Sequence, residues 1–132
     1  VNKHNKTAGI LFLDDSLPVL EMMSRHVEKW GYTAYRAKNA QKALSLVKEN
    51  PDIKVCFIDL NLGANETNGF YVIRDLRAQS DPNRNLKVVL LTAAASKNIG
   101  EIASSLGADS YLTKPIGSGK LRGIIESFLA EG

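Results

Sequence analysis

The stretch ILFLDDS, Ile10 to Ser16, runs four apolar residues directly into two adjacent aspartates. A continuous apolar run of this length reads as a strand buried on both faces, as in parallel sheets, rather than as a half-exposed alternating strand. Ser16 is a good helix N-cap, and Pro18 two residues later suits a first helical turn, where its missing N–H does little harm. Leu20, Met23, Val27 and Trp30 then repeat at helical spacing, and Gly31 follows as a left-handed stop. The segment is therefore a buried strand, an acidic turn and an amphipathic helix.

The same unit recurs along the chain. Apolar runs at Gly9–Leu13, Thr33–Ala37, Val55–Asp59, Lys87–Thr92 and Ser110–Thr113 have strand length. Between and after them lie helical stripes: Ala40, Ala43, Leu44 and Val47; Phe70, Ile73 and Leu76; Ile99, Ile102, Ala103 and Leu106; and finally Leu121, Ile124, Ile125, Phe128 and Leu129. Gly107 closes the fourth helix as Gly31 closes the first. Strict alternation of strand and helix predicts an α/β fold, because parallel strands need crossover connections: a doubly wound (βα)5 three-layer sandwich around a five-stranded parallel sheet.

Composition narrows the function classes. A chain of 132 residues, 44% hydrophobic and 23% charged, is one ordinary globular domain, and no apolar run approaches a membrane span. The net charge of +3 and pI near 9.0 are only mildly basic, and the cations are interspersed with acids, so no direct nucleic-acid contact is expected. The single cysteine, Cys56 in VCFI, reads as a core thiol; it excludes an internal disulfide and suits a reducing cytoplasm. Residues 1–7, polar and without the apolar core of a secretion signal, read as a flexible tail; 8–130 form the domain, and Glu131-Gly132 read as a vector remnant. His4 lies in the tail and His26 beside the apolar stripe of the first helix, so neither is a candidate ligand.

Sheets of this kind bind ligands at the carboxyl ends of their strands. There the sequence places Asp14-Asp15 after the first strand, Asp59 at the end of the third, Thr92 at the end of the fourth and Lys114-Pro115 after the fifth. Each alone is an ordinary cap, turn or solvated residue. Together they converge on one crevice. Close carboxylates repel by about 4 kcal/mol per pair at an effective dielectric near 20, so they need compensating charge. All-oxygen ligands without His or Cys point to a hard divalent cation, magnesium rather than zinc. One carboxylate can then act as a nucleophile toward phosphorus, with a lysine and a hydroxyl to neutralise and orient the phosphoryl oxygens.

On the pair DD, Asp59 after its apolar strand, the Thr of VVLLTA and the Lys of SYLTKP, the chain resembles the receiver domain of two-component response regulators over about Ala8 to Ala130. That resemblance implies a flavodoxin-like, chemotaxis-regulator-like fold in a cytoplasmic phosphorelay. Asp59 would be the phosphoacceptor, served by a histidine kinase or a histidine phosphotransfer protein. Magnesium would be held directly by Asp15, mainly through water by Asp14, by the backbone carbonyl of Asn61, and by Asp59 itself. Lys114 and Thr92 would contact the phosphoryl group, the Lys114–Pro115 bond would be cis, and Thr92 with Tyr111 would form a switch. The fourth helix, fifth strand and fifth helix would present the output face to an output domain, a target protein or a second copy. Such a receiver is not an enzyme beyond its own phosphoryl transfer and dephosphorylation, in which Asn61 and Ala94 would tune attack by water.

Two departures from the family pattern stand out. Gly63 occupies the place of a usual Pro four residues after the phosphoacceptor, and a matching glycine, Gly69, comes two positions late, so the loop NLGANETNG is longer. KPIGSGKL is glycine-rich, with Ser118 expected to cap the last helix; it lacks the spacing of a phosphate loop. A phosphate-independent binding module on the same fold is the alternative function. An aspartyl-phosphate hydrolase would need Asp-x-Asp where LDDS stands, and a flavin carrier would need a Ser/Thr-rich loop after the first strand.

Overall fold

The computed structural model describes residues 8–63, 68–94 and 96–131. The expected tail 1–7, the middle of the long loop at 64–67 and Gly132 lie outside these. Five strands, β1 (Gly9–Leu13), β2 (Thr33–Ala37), β3 (Ile53–Asp59), β4 (Lys87–Thr92) and β5 (Ser110–Thr113), form one parallel sheet in the order β2-β1-β3-β4-β5. Five helices alternate with them: α1 (Leu17–Lys29), α2 (Ala40–Glu49), α3 (Gly69–Gln79), α4 (Lys97–Ser105) and α5 (Ser118–Glu131). This is the doubly wound, flavodoxin-like (βα)5 sandwich expected from the alternation.

Strand periodicity divides the core into two layers. Leu11, Leu13, Cys56, Ile58, Val88 and Leu90 face one side, where Ala43 and Val47 of α2, Val72, Ile73 and Leu76 of α3 and Ala103 of α4 cover them. Their neighbours Ile10, Phe12, Val55, Phe57, Val89, Leu91 and Leu112 face the other side, covered by Leu20, Met23 and Val27 of α1 and Leu121 and Ile125 of α5. Phe12 and Phe57, paired across β1 and β3, stack with ring centroids 5.4 Å apart. Because β1, β3 and β4 are buried on both faces, a one-residue slip of register would exchange the two layers wholesale. Burial pushes the Cys56 thiol up to about 12, an inert core group as expected.

Three boundaries depart from the sequence-based ones. β3 begins at Ile53 rather than Val55: the exposed Lys54 interrupts the apolar run, yet the strand passes through it by an irregularity opposite Gly9 and Ile10. A 3-10 turn at Pro82–Arg84, capped by Asp81, precedes β4. The last helix begins at Ser118, whose place is therefore inside the first turn; Gly117 supplies the first carbonyl, accepting from Leu121 N–H at 3.0 Å. At the other end the helix includes Glu131, whose carboxylate pairs with Lys87 at 3.1 Å.

The amino end of the sheet is closed by polar contacts the sequence does not announce. Tyr35 donates its hydroxyl to Asp52 at 2.7 Å, across a space that a Cβ on Gly9 would fill, 2.7 Å from the Tyr35 ring and 2.9 Å from the Asp52 carboxylate. Arg84 donates to the carbonyls of Val47 and Asn50 at 2.6 and 2.8 Å and so ties the end of α2 to the start of β3. Burial, the hydrogen bond and the negative charge of Asp52 raise the Tyr35 phenol to about 12. Its folded pKa exceeds the unfolded one, so its contribution is complete below pH 10 and lost as pH rises through 12. Tyr35→Phe should cost about 1 kcal/mol at pH 8, and the deficit should shrink at pH 11, as read from urea unfolding midpoints.

Candidate functional site

Strand order reverses between β1 and β3, which puts the residue after β1 beside the residue ending β3 at the carboxyl edge. Asp14, Asp15 and Asp59 each bring a carboxylate oxygen within 4.8 Å of the others, with Asp14 and Asp59 buried and Asp15 exposed. Asp14 leaves β1 with its N–H on the Ala37 carbonyl, and its Oδ1 accepts Ser16 N–H at 2.9 Å. Ser16 in turn caps α1 through Val19 N–H, so the acidic pair and the first helix are fixed by one turn.

Lys114 arrives from β5, two strands away. Its N–H donates to the Thr92 carbonyl at 2.7 Å, and the Lys114–Pro115 bond is cis. The ammonium lies 2.9 Å from Asp14 Oδ2 and 3.5 Å from Asp59 Oδ2, a bridge between the two buried carboxylates. Thr92 is buried at the end of β4, the strand between, where among the described residues its hydroxyl makes long contacts of 3.4 and 3.5 Å with the Ala94 backbone. Asn61 is exposed two residues past Asp59. Tyr111 stands apart on β5, exposed.

The electrostatics follow from this crowding. Burial, and then the neighbouring Asp14, raise the Asp59 carboxyl above the usual aspartate range against the opposing pull of Lys114 and of the Asn61 backbone N–H. Burial alone would lower the Lys114 ammonium, but its hydrogen bond to Asp14 and the charges of Asp14 and Asp59 outweigh that and raise it. One cation thus serves two buried anions, with a third carboxylate at the rim. An all-oxygen donor set with surplus negative charge fits a hard divalent cation such as magnesium.

Gly69 has a role its sequence neighbours do not reveal. A Cβ there would lie 2.5 Å from the Asp59 carbonyl oxygen and 2.9 Å from the Leu60 Cα, while its N–H donates to the Leu60 carbonyl at 2.8 Å. α3 therefore begins pressed against the backbone of Asp59.

Comparisons with known proteins agree with this geometry. The family model for response regulator receiver domains matches residues 10–126. The alginate biosynthesis transcriptional regulatory protein AlgB of Pseudomonas aeruginosa is 32% identical over 117 residues, which are 89% of this chain and 25% of that protein. The chain thus spans only a quarter of that relative. Among solved structures, the chemotaxis protein CheY4 of Vibrio cholerae superposes with a TM-score of 0.83 at 22% identity, covering 92% of this chain and 98% of that one. A CheY-like receiver domain from Methylobacillus flagellatus gives 0.79 at 28% identity, with the same coverage of both chains.

Two substitutions probe the site without any ligand. Gly69→Ala sets a methyl group against backbone on two sides and should cost about 2 kcal/mol, measurable by chemical unfolding. Asp59→Asn should do the opposite. Its raised carboxyl means that ionised Asp59 is a net cost, one relieved as pH falls through the carboxylate range. The variant should therefore be more stable at pH 7 by on the order of 1 kcal/mol, with the difference vanishing in acid.

Proposed function

As the chain belongs to the family of response regulator receiver domains, the signalling modules of two-component systems, we propose that Asp59 accepts a phosphoryl group from a phosphohistidine on a histidine kinase or histidine phosphotransfer protein. The observation that carries this is the Lys114 ammonium held between Asp14 and Asp59. An Asp59 carboxylate oxygen attacks phosphorus, the phosphorus–nitrogen bond breaks, and the histidine nitrogen leaves with the electron pair. Lys114, already 3.5 Å from Asp59, follows the new negative charge onto the phosphoryl oxygens. The Thr92 hydroxyl, whose contacts among the described residues are long, turns toward them.

Asp14, Asp15, Asp59 and the Asn61 backbone carbonyl would hold magnesium, which when bound neutralises charge on the transferring group. Asp15 is the exposed member and can ligate directly; both Asp14 oxygens already accept hydrogen bonds, which favours its contact through water. Movement of Thr92 and Tyr111 together would relay the event to the face of α4, β5 and α5, and through it to an output domain, a separate target or a second copy. The site then returns to its starting state when water attacks phosphorus, the bond from phosphorus to the Asp59 carboxylate oxygen breaks and inorganic phosphate leaves, with Asn61 and Ala94 tuning the attack. Among the described residues no helix is long and apolar enough to cross a membrane, and action in the cytoplasm is part of this reading.

The test is intact mass after incubation with acetyl phosphate, with and without magnesium, on the chain and on Asp59→Asn. A magnesium-dependent gain of one phosphoryl mass, absent from the variant, is expected. A folded, magnesium-binding protein that gains nothing would instead be a phosphate-independent binding module on the same fold.

A further inference from the structure

Gly100 lies within α4, and its presence there has no backbone reason. It is not among the positive-φ glycines, which are Gly31, Gly63 and Gly107, and its N–H makes an ordinary helical bond to Ser96 at 3.0 Å. A glycine inside a helix costs about 1 kcal/mol relative to alanine. The compensating contact comes from β5. A Cβ at position 100 would fall 2.6 Å from Cε1, 2.8 Å from Cζ and 3.0 Å from Oη of Tyr111, all well inside van der Waals distance. By contrast, Gly117, Gly119 and Gly123 would each meet open space.

The sheet defines where that ring can go. Leu112 packs into the layer of α1 and α5, so Tyr111 and Thr113 point to the opposite face, the one α4 covers. β4 and β5 pair Tyr111 with Leu90 and Thr113 with Thr92, which places Thr92 on the same face, one pleat further toward the carboxyl edge. Tyr111 is 39% exposed, and open clefts of about 260 and 640 Å³, each lined by Gly100 and Tyr111, flank it. The ring is thus held by contact with Gly100 and not by enclosure.

We propose that Gly100 is the positioning residue for Tyr111: its bare Cα forms the recess that keeps the ring on the outside of α4, and a side chain there drives the ring inward along the same face toward Thr92. The consequence for signalling rests on the switch reading given above. If phosphorylation favours the inward ring, then evicting the ring from Gly100 raises the population of the phosphorylation-competent state. Any ligand selective for that state must then bind more tightly.

Two readouts separate the recess from the switch. The first uses protein labelled with 13C in its tyrosine rings, without phosphate: the Tyr111 resonances of Gly100→Ala should shift and lose contact with a soluble paramagnetic probe. Unchanged or more exposed ring signals would overturn the proposal. The second is affinity for beryllofluoride, a phosphoryl mimic, in saturating magnesium. Gly100→Ala should bind at least about five-fold more tightly than the parent, and the gain should disappear when both carry Tyr111→Ala. A gain that survives without the Tyr111 ring would mean that α4 itself, not the recess, is responsible. Gly100→Ser serves as the second variant and should behave as Gly100→Ala. If the parent binds no beryllofluoride, the phosphoacceptor reading fails while the ring resonances still decide the recess.

Discussion

One ammonium group between two buried carboxylates is the constraint around which the carboxyl edge is arranged. Asp14 and Asp59 are brought together by the reversal of strand order between β1 and β3, and both would be strongly unfavourable without Lys114 at 2.9 and 3.5 Å. Lys114 reaches them only because β4 and β5 end at a common level and because its N–H is fixed to the Thr92 carbonyl. The match of anions to cation is incomplete: Asp15 adds a third carboxylate at the rim, while burial and then the charge of Asp14 raise the Asp59 carboxyl despite Lys114. A site balanced in this way is prepared to receive further positive charge, or to exchange its lysine contact for a more highly charged oxygen group.

The two core layers give this edge its rigidity. β1, β3 and β4 are buried along almost their whole length, with the Phe12–Phe57 stack at the centre of one layer and the aliphatic residues of α2 and α3 closing the other. Contacts with little tolerance lie at both ends of β3. Gly9 makes room for the Tyr35–Asp52 bond near its start, and Gly69 brings α3 onto the backbone of Asp59 at its end. By contrast, β5 is a four-residue edge strand with only Leu112 buried, and α4 contributes only Ala103 to the buried core. The protein is therefore firm where the carboxylates are held and lightly packed on the side where Tyr111 rests on Gly100. Under the proposed function, this distribution of stability suits a module that transmits a local charge change to a surface.

Membership of the receiver family accommodates the two departures in the sequence. Where the longer loop after β3 ends, Gly69 provides the close approach to Asp59 that a bulkier residue would prevent. The glycine-rich segment after Pro115 starts α5 with a backbone carbonyl from Gly117 rather than with the serine side chain that the sequence suggested. Neither change alters the identity of Asp14, Asp15, Asp59, Thr92 or Lys114.

Sequence alone determined the architecture and which polar residues stand at the carboxyl ends of its strands. Continuous apolar runs can be buried only as interior parallel strands, and helical stripes between them must cross over, so the sandwich and the convergence of polar residues at the strand ends follow from patterning. Even the caps at Ser16, Gly31 and Gly107 were legible, because they are properties of one turn. The start of β3 was not, since the exposed Lys54 breaks an apolar pattern that pairing with β1 restores. Only the tertiary structure decided that Lys114 bridges Asp14 and Asp59, that Gly69 abuts Asp59, and that Tyr111 leans on Gly100. Each is a contact between distant segments whose distance is fixed by strand register and helix placement, and a local pattern carries no information about such a distance until the sheet is assembled.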